Sequence, residues 1–323
     1  MSSSCSNIST KFQNVTQVGN TLLSSEIESN LKSFIDWGVL GIGGWFNVEL
    51  ATSGAWGGTF DRMRVVDDPS YVLGQVWETP RKDWVWENAT EYDGGTPISI
   101  SGVYVNSVLK GTGDATYGHH YNYPLGRVVF DSAIATTSTV QIEHSYRNVQ
   151  VYIADQAPWW DELQYNSMRV DDSTFDQVSS GNWTILANHR VQMPAVVIEV
   201  VPRRTFQPYE LGTTSNIITQ DVLFHIVAES RWWRNQLIDI LAAQKDSTLM
   251  FYDSDKIAAS GAFPLDYRGS VVNSGNNYSG IVNNTAYQYT TARITKMGIT
   301  EMDSYNSRLY EGTVRASFEL FSV

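Results

Sequence analysis

Short alternating runs of apolar residues over residues 98–153 constrain the fold of this chain more than any other feature. Val140 and Ile142 alternate with polar neighbours, and Val149, Val151 and Ile153 repeat the pattern. An apolar side chain at every second position is the period of a β-strand with one buried face. Turn residues separate the runs at roughly ten-residue spacing, which is typical of an antiparallel sandwich or barrel. We therefore predict a β-sandwich domain over residues 96–153.

The pattern after Ala154 becomes a mixture of strands and helix. Val196–Val201 is apolar except for Glu199, which is typical of a central strand, and Ser230 is expected to cap a helix between two further strands. Apolar and polar side chains alternate over residues 313–320, which predicts a last strand with one buried and one solvent-facing side. The predicted fold class is therefore mainly β with an α+β C-terminal part. It consists of an antiparallel β-sandwich followed, over residues 154–323, by a sheet with one or two packed helices.

Residues 1–95 are predicted to form an N-terminal arm, a short helix and a Gly/Trp-rich docking segment. The arm ends near residue 20 and is rich in Ser, Thr, Asn and Gln. The helix is expected to begin near Ser25, which has capping-box spacing to Glu28, and to stop at Gly38. The segment from Gly38 to Gly58 holds too many glycines for a stable helix.

The charge and the aromatic content favour protein–protein contacts over nucleic-acid binding. The formal net charge is -12, whereas non-specific binding to nucleic acid requires a surplus of positive charge. The basic residues are 15 Arg and only 7 Lys, and the chain also contains 11 Trp and 17 Tyr. Arginine and aromatic residues are enriched in protein interfaces, while lysine is depleted there.

Adjacent aromatic and arginine residues supply the candidate interface side chains. Neighbouring residues diverge by about 100° on a helix, so at least one tryptophan of an adjacent pair is expected to reach a different surface. An oligomer interface and a sugar-stacking platform both explain such pairs, and a phosphate clamp is a weaker option for the arginines. The predicted subunit-interface residues are Trp232, Trp233, Arg231, Arg234, Arg203, Arg204, Trp159 and Trp160.

Motifs that carry metal or catalytic chemistry do not occur in the sequence. The five histidines form no His-x-x-x-His pair, and Cys5 is the only cysteine. His144 and His225 lie in alternating runs and are expected to be hydrogen-bonded structural residues. The acidic pair Asp67-Asp68 and the Asp253-Ser254-Asp255 triplet lack the EF-hand pattern and are interpreted as turns or caps. We expect no catalytic residue, no metal site and no cofactor, although tertiary geometry could still create a glycosidase carboxylate pair about 5–10 Å apart.

The sequence gives no prediction of export or membrane insertion. Met1 to Thr10 is polar and lacks the basic and apolar regions of a signal peptide. The longest apolar stretch, from Trp37 to Phe46, is about half of the roughly 20 residues that a spanning helix requires. We therefore expect synthesis in the cytoplasm.

Several stretches resemble structural proteins of tailed-bacteriophage virions. Ile98-Ser-Ile-Ser-Gly-Val-Tyr-Val-Asn106, Tyr123-Pro-Leu-Gly-Arg-Val-Val-Phe130 and residues 140–153 are similar to a β-sandwich common in those proteins. Asp221-Val-Leu-Phe-His-Ile-Val-Ala-Glu229, with the Trp/Arg helix and the return strand, resembles the strand–helix–strand unit of neck and tail-terminator proteins. The resemblance covers about two-thirds of the chain and is strongest to structural proteins of contractile-tailed marine cyanophages.

This resemblance implies a non-enzymatic virion protein, made in the host bacterial cytoplasm and located in the neck or tail. It implies a ring at the head–tail junction, as neck connector, tail terminator or tail-completion protein, with a tail-terminator-like domain over residues 154–323. The implied partners are further copies of the chain and adjacent neck, portal or tail proteins, with no specific nucleic-acid recognition and no membrane. An acidic channel wall would let DNA pass without binding it.

The alternative function is a carbohydrate-binding module of a tail fibre or baseplate. It predicts an exposed groove lined by Trp84, Trp86, Trp159 or Trp160, because sugar rings stack on exposed aromatic side chains. A glycan-cleaving enzyme is the third possibility and requires two carboxylates that face each other in a cleft.

Overall fold

The computed structural model describes residues 23–50, 61–157, 192–209, 216–301 and 309–322. Over these ranges the chain is mainly β, with a few helices and a curled multi-stranded sheet. The helices are α1 (Leu23–Gly41), α2 (Arg231–Ala242), α3 (Ser254–Ser260) and α4 (Tyr278–Val282), with a short 3-10 helix at Ala154–Gln156. The strands are β1 (Trp45–Val48), β2 (Arg64–Val65), β3 (Val76–Glu78), β4 (Val103–Val105), β5 (Val108–Lys110), β6 (His119–Asn122), β7 (Arg127–Phe130), β8 (Val140–Gln141), β9 (His144–Arg147), β10 (Gln150–Ile153), β11 (Ala195–Pro208), β12 (Asn216–Ala228), β13 (Thr248–Tyr252), β14 (Gln288–Glu301) and β15 (Tyr310–Ser322).

The largest sheet has six strands in the order β10-β11-β12-β15-β14-β13. Its strands pair antiparallel except for the parallel pair of β10 and β11. Ile198, Phe224 and Val314 lie side by side on neighbouring strands of the buried face. Apolar side chains of α1 and α2 join them in one core, so both helices pack on this face.

The other described strands form smaller sheets that share a second core. Their orders are β2-β3-β7-β6, β5-β4-β8 and β1-β9. Trp77 and Trp84 are buried in this core together with Phe130 and Ile142. Residues on both sides of position 95 therefore contribute to the same core, and β3 and β7 pair across the domain boundary predicted there.

The sequence-based strand predictions are confirmed where packing depends on alternation. Along β15, Val314 and Phe318 are fully buried, whereas Arg315 between them is exposed. The run from Val196 is a central strand, because β11 has β10 on one side and β12 on the other. The residues of β10 fall within the predicted β-sandwich domain. However, β10 lies in the six-stranded sheet and not in the small sheets.

The predicted bounds of α1 are wrong at both ends. The helix already includes Leu23, so Ser25 and Glu28 lie within it, and it continues through Gly38 to Gly41. The buried stripe extends beyond the glycine to Val39. A glycine within a helix costs about 1 kcal/mol relative to alanine, and the added burial of Val39 is of similar size. The predicted arm, and residues 51–60 of the Gly/Trp-rich segment, lie outside the described residues.

Gly74, in the turn before β3, requires the absence of a side chain. Its φ is +98°, and a Cβ atom would lie 2.4 Å from the Ile134 carbonyl oxygen. We expect Gly74→Ala to destabilise the fold by about 2–4 kcal/mol, because left-handed strain and a backbone collision combine. Gly94→Ala is the matched control, since Gly94 has a φ of +73° but open space around it. Thermal unfolding should show the smaller loss for Gly94→Ala, and equal losses would mean that the collision has no effect.

Candidate functional site

The start of α2 carries the exposed part of the predicted interface. Ser230 caps this helix as expected, because its side chain accepts a hydrogen bond from the Trp233 backbone N–H at 3.3 Å. Leu237 and Leu241 are buried against the large sheet. The cap and this buried stripe fix the orientation of the first helical turn.

Residues 231–234 point in different directions from that turn. Arg231 is exposed, the Trp232 side chain is 60% exposed, and Trp233 is half-buried. The two indole rings meet edge to face, with their centroids 4.8 Å apart. Arg234 is buried within the chain, and its guanidinium donates to the side-chain oxygen of Asn235 at 2.8 Å. Arg231 and Trp232 are therefore the two residues of this set that face solvent.

The other predicted interface residues lie elsewhere. Arg203 is exposed on β11. Arg204 bonds within the chain, since it donates to the Gln220 side chain and to the Ser24 hydroxyl, both at 2.8 Å. It thereby links β11, β12 and α1. Trp159 and Trp160 lie outside the described residues.

The expectation of an exposed groove lined by Trp84 and Trp86 is wrong. Trp84 is fully buried and Trp86 nearly so. The Trp84 indole N–H donates to the Thr79 hydroxyl at 3.0 Å, and its ring lies 5.1 Å from the His144 ring. Both tryptophans belong to the core of the small sheets, so neither of them has an open face on which a sugar ring could stack.

The acidic motifs have the local roles that the sequence indicates. Asp253 caps α3 by accepting from the Lys256 backbone N–H at 3.0 Å. Asp68 accepts from the Ser70 backbone N–H at 3.0 Å and forms an ion pair with Arg127. Within the described ranges, no group of three His, Cys, Asp or Glu residues is arranged to hold a metal ion.

The strand histidines are hydrogen-bonded structural residues, as predicted. His144 is buried, its Nδ1 lies 3.2 Å from the Ile142 carbonyl oxygen, and burial lowers its pKa to about 4. His225 lies between two carboxylates on the opposite face of the large sheet from the helices. Its Nε2 is 3.0 Å from Glu199, and its Nδ1 is 3.5 Å from the buried Glu311. The imidazole therefore connects β11, β12 and β15.

Arg147, near the end of β9, is the centre of a buried ionic cluster. It is 5% exposed, and its guanidinium contacts three carboxylates. Nε donates to Asp36 of α1 at 2.8 Å, and Nη2 donates to Glu87 at 2.5 Å. Nη1 donates to the Trp84 carbonyl at 3.0 Å and lies 3.4 Å from Asp83. We call Arg147, Asp36, Asp83 and Glu87 the Arg147 cluster.

The Arg147 cluster joins the two cores of the chain. Asp36 belongs to the helix that packs on the large sheet, whereas Asp83 and Glu87 flank the buried Trp84 of the small sheets. One guanidinium faces three carboxylates, so the cluster has an excess of negative charge when all three are ionised. The cluster is therefore both a structural joint and a group of strongly interacting acids.

Burial determines the protonation of the two central acids. It raises the pKa of Asp83 to about 6, against the opposing effect of the Arg147 charge and with a further increase from Asp36. Burial likewise raises the pKa of Glu87 to about 7, again opposed by Arg147 and supported by Asp36. Burial lowers the pKa of Arg147, but the three carboxylates outweigh it and raise that pKa well above its ordinary value. The arginine therefore stays charged while its partners can take up protons.

No model of a known protein family matches the chain, and a search of curated proteins finds no similar sequence. The helices of the described ranges are also all too short or too polar to cross a membrane.

Proposed function

We propose that this chain is a non-enzymatic structural subunit of a tailed-bacteriophage virion. In this proposal it forms a homo-oligomeric ring at the head–tail junction, as a neck connector, tail terminator or tail-completion protein. The observation that carries the proposal is the exposed Trp232 beside the exposed Arg231 at the start of α2. Tryptophan and arginine are enriched in protein interfaces and among the residues that contribute most of the binding energy.

The proposal assigns a role to each part of the fold. The small sheets act as the β-sandwich, and the six-stranded sheet with α1 and α2 acts as the tail-terminator-like domain. The chain is made in the host bacterial cytoplasm and ends in the neck or tail of the virion. Its partners are copies of itself and adjacent neck, portal or tail proteins. The net charge of -12 supports a ring that does not bind the DNA passing through it.

The geometry of α2 explains why this surface suits a ring. The Ser230 cap and the buried Leu237 hold the first turn of the helix in place, so Trp232 is presented on a rigid element. A rigid aromatic side chain loses little conformational entropy when a partner covers it. Trp233 supports the exposed ring from the side at 4.8 Å. The pair is therefore suited to act as an interface anchor.

Trp232→Ala tests the proposal through the oligomeric state. We expect the wild-type chain to form a discrete closed ring in native mass spectrometry and the variant to dissociate at concentrations at least tenfold higher. An interface anchor of this type contributes about 2 kcal/mol or more, and 1.4 kcal/mol corresponds to a tenfold change in affinity. Phe263→Ala is the matched control, because Phe263 is also an exposed aromatic residue, on the segment between α3 and α4. It should leave the ring intact.

Two outcomes would contradict this proposal. A ring that tolerates Trp232→Ala as well as it tolerates Phe263→Ala would exclude α2 from the interface. A trimeric or monomeric wild-type chain would exclude a neck ring, and a trimer would favour a fibre protein instead.

A further inference from the structure

Three segments that are distant in the sequence meet at the Arg147 cluster. α1 contributes Asp36, the segment before Glu87 contributes Asp83, and β9 contributes Arg147 itself. Two more ionisable groups interact with Asp83. The Lys32 ammonium of α1 lowers the pKa of Asp83. Burial raises the pKa of Tyr152 on β10, and Asp83 raises it further. Within the described ranges, Lys32 and Tyr152 are thus the further ionisable groups coupled to the cluster through Asp83.

The Asp36–Arg147 pair of the cluster is a polar connection between α1 and the small sheets. At its first turns α1 is attached to the C-terminal part of the chain, where the Asn30 side chain donates to the Tyr252 carbonyl at 3.0 Å and Glu26 accepts from the Ser254 backbone N–H at 3.0 Å. Asp36 lies beyond them, less than two turns after Asn30, and bonds to Arg147 instead. The strength of the ion pairs at Arg147 therefore affects how firmly the small sheets hold the second half of α1.

We propose that the Arg147 cluster is a proton-controlled joint, in which proton uptake by Glu87 or Asp83 tightens the contact between α1 and the small sheets. The carboxylates share one guanidinium, and their mutual repulsion is strong because the site is buried. A proton on Glu87 or Asp83 removes one negative charge, so it reduces the repulsion of Asp36 across the joint and leaves the Asp36–Arg147 pair with less competition. This inference does not depend on the proposed function.

Glu87 is the principal proton acceptor of the joint. Its side chain is 6% exposed, whereas Asp36 retains 26% and Asp83 retains 29%. Water can therefore stabilise the charges of the two aspartates better than that of Glu87. The Glu87 Oε2 atom also accepts from the Trp86 backbone N–H at 3.1 Å, which fixes the carboxyl group in place. Its protonation changes charge without requiring the side chain to leave the site.

The sign of the pH effect follows from the direction of the shifts. Burial raises the pKa of Glu87 and of Asp83 above their unfolded values of 4.5 and 3.8. A carboxyl group whose folded pKa is raised contributes stability that is fully present below its unfolded pKa. That contribution is lost as the pH rises through the folded values of about 6 and about 7. The joint is therefore tighter at pH 5 than at pH 8.

Amide hydrogen exchange of the full chain tests the joint directly. After correction for intrinsic exchange rates, protection of residues 34–41 and 83–87 is expected to be at least about tenfold higher at pH 5 than at pH 8. Glu87→Gln should flatten this dependence, because glutamine cannot gain or lose the proton. Glu91→Gln is the matched control, since Glu91 is an exposed acid of the same segment, and it should keep the wild-type dependence. Amides at the centre of β14 serve as an internal reference.

A carboxyl titration followed by NMR keeps the test decisive if Glu87→Gln does not fold. In the wild-type chain the Glu87 carboxyl is expected to titrate near neutral pH. Titration of Glu87 below pH 5 would overturn the proposal. Equal protection of residues 34–41 at pH 5 and pH 8 would overturn it too, as would an unchanged pH dependence in a folded Glu87→Gln variant.

Discussion

Arg147→Met is expected to destabilise the chain by about 3–5 kcal/mol at pH 8. The substitution leaves a flexible apolar side chain in place of the guanidinium and leaves three carboxylates without their cation. Removing one partner of a buried ionic group is costly because the remaining charges stay buried and uncompensated. The loss should be smaller at pH 5, because Glu87 and Asp83 can then be protonated and no longer require a cation.

Urea unfolding followed by tryptophan fluorescence measures this effect. Arg315→Met is the matched control, because Arg315 also pairs with an aspartate, Asp221, but its side chain is 58% exposed. An exposed ion pair contributes about 0–1 kcal/mol, so the control should lower the unfolding midpoint only slightly. Similar losses for the two variants would show that the Arg147 cluster is not a stabilising joint. Adding Glu87→Gln to Arg147→Met should recover part of the lost stability, because it removes one uncompensated charge.

The sequence predicts a strand or helix when its apolar side chains recur with the period of that element. The alternation along β15 and the apolar run of β11 are visible in the sequence because each strand buries one or both of its faces. The Ser230 cap and the buried Leu237 of α2 follow from local spacing in the same way. The divergence of Trp232 from Trp233 also follows from helical geometry alone. Each of these features depends on residues that lie close together in the sequence.

Long-range pairing is not encoded in such local patterns. β10 alternates like the short strands before it, yet it pairs with β11 of the large sheet across a long sequence separation. α1 continues beyond Gly38 because its partner surface is present, which no local signal shows. Burial of Arg234 likewise depends on how α2 lies against the sheet. Alternation indicates that a strand has a buried face but not which strand covers it.

The Arg147 cluster shows the same limit for the candidate site. Its members come from α1, from the residues around Trp84 and from β9, and no spacing rule connects residues 36, 83, 87 and 147. A single signal was present: two acids at i and i+4 enclose Trp84 and Trp86. Acids on both sides of two buried tryptophans are drawn into the interior with them, where they require a cation. Arg147 could be identified as that cation only from the fold.

Trp84→Ala is expected to destabilise the chain by about 3–5 kcal/mol. Trp84 is fully buried in the core of the small sheets, and its loss leaves a large cavity beside Tyr123 and His144. The substitution also removes the donor to the Thr79 hydroxyl. Trp84→Phe should give an intermediate loss, because it retains a ring but neither the full volume nor the indole N–H.

Thermal unfolding of monomeric protein separates this core role from a binding role. Trp232→Ala is the control of identical chemistry, since Trp232 is 60% exposed and its removal should cost less than about 1 kcal/mol within one subunit. The two tryptophans should therefore show opposite profiles: Trp84→Ala lowers the unfolding temperature, and Trp232→Ala weakens assembly at nearly unchanged subunit stability. A Trp84→Ala variant as stable as Trp232→Ala would contradict the burial of Trp84 and would make a sugar-binding face at this position possible again.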